Sequence, residues 1–208
     1  KSMIAIELIH SYSLIHDDLP CMDDDDYRRG RLSTHKKYDE AQAILAGNSL
    51  LTMGFNLLSQ DSNPALVKLL SLLSGHKGLA GGQSLDIDTI EKKLNYKIIK
   101  KIHEQKTARL FEFCLAAPFI ISNKSQREIN LSRKYGKIIG TIFQIIDDVH
   151  DYENKDNEYI NILNVMTKDD ALEKCYRYEA EANSLREKLL PNKKNRMNDI
   201  LSFIINRK

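Results

Sequence analysis

Tryptophan is absent from this 208-residue chain, which has only four prolines, nine glycines and three cysteines. So few helix-breaking residues favour long regular elements. The cysteines, Cys21, Cys114 and Cys175, are odd in number and widely spaced, which argues against a disulfide framework and favours reduced thiols in a cytoplasmic protein. The longest apolar run, Cys114 to Ile121, is far below the ~20 residues that span a bilayer. Because no signal peptide opens the chain either, we predict no membrane span.

An excess of one charge is also lacking. Lysine and arginine number 31, and aspartate and glutamate 29, for a net charge of +2. This balance argues against nucleic acid as a partner and leaves anion binding to local clusters. Hydrophobic residues make up 42% of the chain, enough to bury one sizeable core. We therefore predict a single domain over residues 1–208.

The dominant pattern along the chain has the period of an α-helix. Two apolar stripes have this period, formed by Ile4, Leu8, Ile9, Tyr12 and Ile15, and by Ile138, Ile142, Ile145, Ile146 and Val149. No strand alternation persists, so an all-α helical bundle is the predicted fold class. Further helices are predicted over residues 36–58, 64–82, 95–121, 127–152, 168–188 and 195–206.

A carboxylate cluster stands at the end of each stripe. The first is followed by Arg28 and Arg29 and consists of Asp17, Asp18, Asp23, Asp24, Asp25 and Asp26. The second consists of Asp147, Asp148 and Asp151. Carboxylate oxygens are hard ligands for Mg²⁺, which binds through a few carboxylates plus phosphate oxygens, and guanidinium groups bind phosphate in a bidentate manner. The combination predicts a site for magnesium and a diphosphate, with the clusters facing each other across a bundle cavity.

Spacing indicates which carboxylates of the second cluster act together. Asp147 and Asp151 are four residues apart and project from one face of a helix. Asp148 is turned aside, which favours a supporting position behind the metal ligands.

The first cluster needs a break in its helix. Asp17 and Asp23 are six residues apart and would lie on roughly opposed sides of an undisturbed helix. Pro20 lacks an amide hydrogen and crowds the preceding turn, so the helix should end or kink near Leu19. This break predicts that Asp23 returns towards Asp17.

Other interpretations of the clusters remain open. A single acidic run is usually a solvated face or a helix cap, although two such runs within apolar helical segments make that costly. An EF-hand is disfavoured because Met22 stands where the calcium loop needs glycine. A transition-metal site that includes His16 or His150 is disfavoured by the hard oxygen donors around them. His35 and His103 are interpreted as structural.

Several motifs resemble those of one family. The stretch His10–Gly30 resembles the first aspartate-rich motif of the trans-isoprenyl diphosphate synthases, especially their bacterial farnesyl diphosphate synthase (geranyltranstransferase) branch. Further matches follow in family order at Thr34-His35-Lys36, Ala43-Ile44-Leu45-Ala46-Gly47, Gly81-Gly82-Gln83-Ser84-Leu85-Asp86, Lys106-Thr107 and Phe143-Gln144-Ile145-Ile146-Asp147-Asp148. The resemblance implies an isoprenoid-synthase-like helical bundle around a central cavity, and a homodimer.

The resemblance also implies a reaction. In this family an allylic diphosphate, dimethylallyl or geranyl, ionises with the help of magnesium. The double bond of isopentenyl diphosphate then attacks the carbocation, and a proton is lost. Farnesyl diphosphate is the implied product, with about three Mg²⁺ per active site when substrate is bound.

The family's motifs assign roles to individual residues. Its direct metal ligands match Asp17, Asp23 and Asp147, and the residues that complete the sites or orient water match Asp18, Asp148 and Asp151. Arg28 is similar to the family's contact to the allylic diphosphate, and Arg29 to its contact to isopentenyl diphosphate. The residues near the leaving group and the reacting region match Lys106, Thr107 and Gln144.

Two further groups of residues match the substrate pocket. Gln83 and Asp86 match the family's helix beside the allylic pocket, although Gly81 and Gly82 would equally suit close helix packing. Tyr12 lies five residues before Asp17 and is similar to the floor of the pocket in farnesyl-forming members. Its ring is predicted to stop chain growth at about fifteen carbons.

The chain departs from the family in two places. No Gly-Lys-Arg motif of the kind that binds isopentenyl diphosphate precedes Lys1. The chain is therefore expected to lack the N-terminal helices of the domain and, by itself, to have little condensation activity. After Asp151, where relatives carry Gly-Lys and then Thr-Tyr, Lys155 is the candidate for the family's lysine.

Four alternatives accompany this prediction. A geranylgeranyl or other short-chain product synthase differs only in chain length. A noncatalytic prenyl-synthase-like subunit would tend to lose its acidic motifs, and both are present here. A terpene cyclase is disfavoured by the Arg28-Arg29 and Lys106-Thr107 matches. A ferritin-like carboxylate protein would need Glu-x-x-His pairs on its core helices.

Overall fold

The computed structural model describes residues 1–60, 63–89, 93–152, 160–191 and 197–206. Nearly all regular structure in these ranges is helical, as the hydrophobic period predicts. The chain divides into two compact units, Lys1–Lys68 and Leu69–Lys208. None of the helices in the described ranges has the length and apolar character that a bilayer crossing requires.

Ten α-helices are described. They are α1 (Ser2–Asp17), α2 (Thr34–Lys37), α3 (Glu40–Ser59), α4 (Pro64–Ser74), α5 (Leu79–Thr89), α6 (Tyr96–Ile102), α7 (Arg109–Ile121), α8 (Gln126–Tyr152), α9 (Lys168–Leu189) and α10 (Met197–Asn206). A π-helical turn, His103–Ala108, joins α6 to α7, and a 3₁₀ turn, Ile162–Asn164, precedes α9. The helices predicted over 95–121, 127–152 and 168–188 are confirmed close to their predicted bounds. The start of the helix predicted over 195–206 lies outside the described residues.

Two of the predicted helices are each divided in two. The one predicted over residues 36–58 is α2 and α3, because Asp39 caps a new helix. Its carboxylate accepts a hydrogen bond from the Gln42 amide at 2.7 Å. The helix predicted over residues 64–82 is α4 and α5. At that break, a Cβ on Gly78 would lie 1.9 Å from the carbonyl oxygen of Leu73, a closeness that only glycine permits.

In the first unit, α1 packs against α3 through a face that consists mostly of small residues. The buried face of α1 consists of Ser2, Ala5, Ile9 and Ser13. A Cβ on Gly54 of α3 would lie 3.2 Å from the carbonyl oxygen of Ala5, so small side chains allow the two backbones to approach closely. The predicted apolar stripe of α1 is therefore wrong at Ile4, which is 58% exposed, whereas Ile9 is fully buried.

A short antiparallel hairpin departs from the prediction that no sheet is present. Strand β1 is Tyr27–Arg28 and strand β2 is Arg31–Leu32. Both turn residues have positive φ, 52° at Arg29 and 74° at Gly30, as in a tight two-residue hairpin turn. Strands this short carry no alternation that a sequence pattern can detect.

In the second unit, α8 forms the centre of the hydrophobic core. Its predicted stripe is confirmed, because no member is more than 7% exposed: Ile138, Ile142, Ile145, Ile146 and Val149. α9 and α10 cover it with Ala171, Cys175, Ala182, Leu185, Leu201 and Ile204. Burial of this apolar surface is the main stabilising contribution, and it holds the end of α8 that carries the second carboxylate cluster.

The ferritin-like alternative is not supported by the sequence spacing. That arrangement uses a Glu-x-x-His pair on each of two helices. Glu7 and His10, both on α1, are the single pair with this spacing in the chain.

Candidate active site

The turn after α1 brings the two parts of the first carboxylate cluster together. The chain reverses after Pro20, and the Asp23 amide donates a hydrogen bond to the carbonyl oxygen of Asp17 at 2.9 Å. The Asp24 amide donates to the carbonyl oxygen of Leu19 at 3.1 Å, with Asp24 in the left-handed region at φ 50°, which aspartate tolerates. The predicted helix end near Leu19 and the return of Asp23 towards Asp17 are confirmed.

Arg28 donates hydrogen bonds to two further carboxylates of the first cluster. Its Nε donates to Asp18 Oδ1 and its Nη2 donates to Asp25 Oδ2, both at 2.9 Å. Asp18 is only 2% exposed, so its charge needs such a partner. Burial lowers the pKa of Arg28, but the hydrogen bond and charge of Asp18, with the charges of Asp25 and Asp17, outweigh it and raise that pKa above its usual value. Arg28 is therefore a positioned cation within the cluster.

A cleft of about 180 Å³ lies beside Arg28. Its polar lining consists of Ser11, Asp18, Arg28, Arg29, Ser33 and Thr34, and its apolar lining of Leu14, Ile15 and Leu32. Guanidinium and hydroxyl groups are donors that suit phosphate oxygens. The structure thus brings Arg28 and Arg29, both predicted to bind substrate, to one cleft of the first unit.

Tyr12 is half-buried on α1. Its ring meets the ring of His16 edge-on, with centroids 5.3 Å apart and an interplanar angle of 83°. Burial, followed by the charge of Asp17, raises the pKa of Tyr12. His16 Nε2 lies 3.2 Å from the carbonyl oxygen of Ile44, and a Cβ on Gly47 would lie 2.1 Å from that nitrogen. His16 therefore packs across Gly47 and holds the ring of Tyr12.

The second carboxylate cluster stands on the last turns of α8. Asp147 is half-buried and Asp151 is exposed, four residues apart on the helix. Asp148 is turned aside, as predicted, and is 4% exposed. Its Oδ2 accepts a hydrogen bond from the Ile162 amide at 2.7 Å and lies 3.1 Å from His103 Nε2. Asp148 thus fixes the 3₁₀ turn and the π-helical turn to the end of α8.

A chain of hydrogen bonds leads from Asp148 to Thr107. Gln144 Nε2 donates to Asp148 Oδ1 at 2.9 Å, and Thr107 Oγ1 donates to Gln144 Oε1 at 2.7 Å. Because a carboxylate only accepts, the amide NH₂ of Gln144 faces Asp148 and its oxygen faces Thr107. The hydroxyl hydrogen of Thr107 is thereby committed, and its oxygen lone pairs are left to accept a hydrogen bond.

Lys106 and Asp86 also come together. Lys106 Nζ donates to Asp86 Oδ2 at 2.7 Å, with both side chains about one quarter exposed or less. Gln83, on the same helix α5, is buried. A Cβ on Gly82 would lie 2.3 Å from the Lys106 amide nitrogen, so Gly82 is a packing glycine that lets α5 contact the π-helical turn. Such turns occur frequently at functional sites.

Several contacts of these residues could not be predicted from motifs. His103 lies beside Asp148, and Asn161 Nδ2 donates to the Asp148 carbonyl oxygen at 2.7 Å. Neither residue belongs to a motif. The sequence also does not distinguish Asp25, which binds Arg28, from the other residues of the acidic run. The candidate Lys155 lies outside the described residues.

Relatives named farnesyl diphosphate synthase are similar to this chain. The protein from Bacillus subtilis is 41% identical over 162 residues, which cover 74% of this chain and 55% of that protein. The protein from Micrococcus luteus is 45% identical over 155 residues, which cover 72% of this chain and 53% of that protein. The chain therefore spans about half the length of the curated relatives that it matches.

Solved structures of similar proteins, together with a family model, assign the fold. A geranyltransferase from Helicobacter pylori has a TM-score of 0.89 at 32% identity, covering 99% of this chain and 73% of that one. A geranyltranstransferase from Thermotoga maritima has a TM-score of 0.82 at 30% identity, covering 96% of this chain and 72% of that one. The predicted all-α, isoprenoid-synthase-like fold class is thus confirmed. The family model described as polyprenyl synthetase matches residues 1–176, and the chain belongs to the polyprenyl synthetase family.

Proposed function

We propose that this chain is part of a prenyltransferase that condenses isopentenyl diphosphate with dimethylallyl or geranyl diphosphate to form farnesyl diphosphate. The observation that carries the proposal is the turn at Pro20, which joins Asp17 to Asp23 next to the positioned cation Arg28. Oxygen ligands for a hard metal and a guanidinium group for phosphate thus lie within one short segment. The names of the relatives, farnesyl diphosphate synthase and geranyltranstransferase, support the same reaction.

Magnesium is the proposed cofactor, at about three ions per active site when substrate is bound. The donors fit this metal, because all of the proposed ligands are carboxylates. Asp17, Asp23 and Asp147 are the proposed direct ligands, with Asp151 completing the second cluster. Asp18 and Asp148 are buried and accept hydrogen bonds from Arg28 and Gln144, which suits a supporting role. When bound, the ions would spread the negative charge of the departing diphosphate.

The arginines have separate tasks in the proposed reaction. Arg28 contacts the allylic diphosphate and Arg29 contacts the diphosphate of isopentenyl diphosphate. The carboxylates of Asp18 and Asp25 hold the Arg28 guanidinium in place before substrate arrives, which reduces the entropy lost on binding. Ser33 and Thr34 line the same cleft and offer further donors to phosphate oxygens.

Residues of the second unit act on the allylic group. Lys106 supplies positive charge near the leaving group and is held by Asp86. Thr107 presents its oxygen lone pairs because its hydroxyl hydrogen points to Gln144, and an oxygen dipole of this direction stabilises a nearby carbocation. Gln83 and Asp86 belong to the helix beside the allylic pocket, α5.

A longer product is the second candidate. One relative, from Arabidopsis thaliana, is named heterodimeric geranylgeranyl pyrophosphate synthase large subunit 2 and is 41% identical over 162 residues, covering 74% of this chain and 43% of that protein. The bulk of Tyr12 favours the farnesyl product instead. A noncatalytic subunit is less well supported, because the carboxylates of both clusters are present. A homodimer and a cytoplasmic location stay predictions.

The test is a condensation assay on the full-length protein that the gene encodes. Radiolabelled isopentenyl diphosphate is supplied with dimethylallyl or geranyl diphosphate and Mg²⁺, and the chain length of the product is read by chromatography. Label should enter farnesyl diphosphate only when an allylic partner is present. Asp17→Asn and Asp147→Asn should each lower kcat by about 100-fold or more, as expected when charge stabilisation in the transition state is lost.

Glu187→Gln is the matched control, because it also removes one carboxylate and its side chain is 73% exposed. It should retain the activity of the unmodified protein. Turnover of an allylic diphosphate alone would indicate a cyclase. Full activity of Asp17→Asn would contradict the proposed metal site.

A further inference from the structure

A second group of potential metal ligands lies next to the first carboxylate cluster but does not include Asp17 or Asp23. It consists of Asp24, Asp26 and His35, whose ligand atoms all lie within 4.8 Å of one another. Three ligands at about 2.1 Å from one ion lie about 3 to 4 Å apart, so small side-chain rotations would close the site. The side chains of Asp24 and Asp26 are exposed, which gives them room for such rotations, and His35 is buried.

One ring nitrogen of the buried His35 lacks a hydrogen-bond partner among the residues that the structure describes. The Nδ1 atom of His35 lies 3.1 Å from Ser33 Oγ, and His35 as a whole is only 7% exposed. Nε2 is buried and has no hydrogen-bond partner within the described ranges. A buried polar nitrogen without a partner is costly. When histidine binds a metal, its other ring nitrogen usually donates to a fixed oxygen, which is the arrangement that Ser33 provides.

The hairpin explains why residues of this spacing meet. β1 and β2 lie between Asp26 and Ser33, and the Ser33 amide donates to the carbonyl oxygen of Asp26 at 2.9 Å. This bond closes the base of the hairpin and brings the start of α2, which carries His35, back to Asp26. Asp26 and His35 are therefore positioned by backbone contacts that do not involve the proposed magnesium ligands, and Asp24 is positioned by the hydrogen bond from its amide to the carbonyl oxygen of Leu19.

A neighbouring positive charge lowers the affinity that this group can have for a metal ion. Lys36 Nζ lies 2.8 Å from Asp26 Oδ1, where its ammonium competes with a metal for one oxygen of that carboxylate. Arg28 pairs with Asp18 and Asp25, so its guanidinium does not compete for Asp24 or Asp26. Two carboxylates and one imidazole nitrogen suit Mn²⁺, Co²⁺ or Zn²⁺ better than Mg²⁺, which prefers oxygen ligands alone.

We propose that Asp24, Asp26 and His35 form a divalent-cation site of mixed nitrogen and oxygen ligands, separate from the magnesium site of the proposed reaction. The ion would tie the start of α2 to the segment before β1. It would thereby stabilise the hairpin that carries Arg28 and Arg29. The site does not rest on the proposed function.

The test uses Mn²⁺ alone as the probe, added to the full-length protein in an excess of Mg²⁺ that fills all-oxygen sites. Pulsed electron paramagnetic resonance detects modulation from a histidine nitrogen bound directly to Mn²⁺. The unmodified protein should give this modulation, and His35→Gln should abolish it. Asp24→Asn, an exposed change that preserves the fold, should weaken Mn²⁺ binding at this site by about 10-fold.

Two controls separate this site from its neighbours. His16→Gln removes the imidazole next to Asp17 and should leave the nitrogen modulation intact. Asp147→Asn should leave it intact as well, even where that change abolishes condensation. Lys36→Met should strengthen Mn²⁺ binding several-fold by removing the competing ammonium. Absence of nitrogen modulation in the unmodified protein, or its persistence in His35→Gln, would overturn the proposal.

Discussion

The amide of Asp23 donates a hydrogen bond to the carbonyl oxygen of Asp17 at 2.9 Å, although the two residues are six apart in sequence. This bond exists because α1 ends at Asp17 and the chain reverses after Pro20. On an unbroken helix the two carboxylates would point in roughly opposed directions. The turn thus converts an acidic run into a group of carboxylates that can share a metal.

Replacing Pro20 should affect both stability and metal binding. Pro20→Ala restores an amide hydrogen and gives the unfolded chain more freedom, so the free energy of unfolding should fall by about 0.4 to 1 kcal/mol. The affinity for Mg²⁺ should fall too, because the turn becomes less rigid. Urea unfolding and a Mg²⁺ titration measure the two effects. Pro64→Ala, at the start of α4, serves as a control that should alter stability but not Mg²⁺ affinity.

The neighbouring carboxylates Asp147 and Asp148 should differ in what they contribute. Asp148→Asn places an amide against the donors of Ile162 and His103, and should lower the free energy of unfolding by about 2 to 4 kcal/mol. Asp147 is half-buried. Asp147→Asn should therefore lower the free energy of unfolding by less than half as much as Asp148→Asn does, and it should weaken Mg²⁺ binding more than Asp148→Asn does. Denaturant unfolding and calorimetric Mg²⁺ titration of both variants test this. Equal losses of stability would contradict the anchoring role of Asp148.

Gly82 should not tolerate a side chain. In Gly82→Ala the new Cβ would meet the Lys106 amide nitrogen at 2.3 Å and the Gln105 carbonyl carbon at 2.6 Å. Both are backbone atoms, so α5 or the π-helical turn must move, at a cost of about 1 to 3 kcal/mol. Gly75→Ala is the matched control, because its nearest contact is one oxygen at 3.0 Å, and it should cost less. Thermal unfolding of the two variants gives the comparison.

Cys175 should be far less reactive than the other thiols. Burial, followed by the charge of Glu179, raises the pKa of Cys175 to about 12, whereas Cys21 and Cys114 are exposed. Titration of the native protein with a thiol reagent should show two fast thiols and one that reacts only on unfolding. Three fast thiols would contradict the burial of Cys175 in the core.

The thiol of Cys175 also makes the free energy of unfolding depend on pH in the alkaline range. In the unfolded chain it ionises near its ordinary pKa of 9.0, and in the folded protein only at about 12. Its contribution is therefore complete below about pH 9 and is lost as the pH rises towards 12, because only the unfolded chain releases the proton. Cys175→Ser should remove this part of the pH profile.

The ring of Tyr12 should limit the length of the product. Tyr12→Ala opens space on α1 near Asp17, and the full-length protein should then form products longer than farnesyl diphosphate. The product distribution is measured by chromatography of the dephosphorylated alcohols. His16→Ala removes the ring that contacts Tyr12 edge-on and should lengthen the product less. An unchanged distribution in Tyr12→Ala would show that the ring has no such role.

Features that depend on neighbours in sequence could be predicted without a structure. The apolar stripe of α8, the helix end at Pro20 and the approach of Asp23 to Asp17 all follow from helix period and from the missing amide of proline. The family itself was recognisable from its motifs, and the family model matches residues 1–176.

Features that depend on distant residues were decided by packing alone. The stripe of α1 could not be predicted correctly, because Gly54 of α3 selects the small face of α1 and leaves Ile4 exposed. His103 and Ile162 meet Asp148 only when α8, the π-helical turn and the 3₁₀ turn are packed together. The sequence by itself thus determined the helical class, the family and the types of ligand. Tertiary structure decided which carboxylates are buried as anchors, because burial depends on elements far away in the chain.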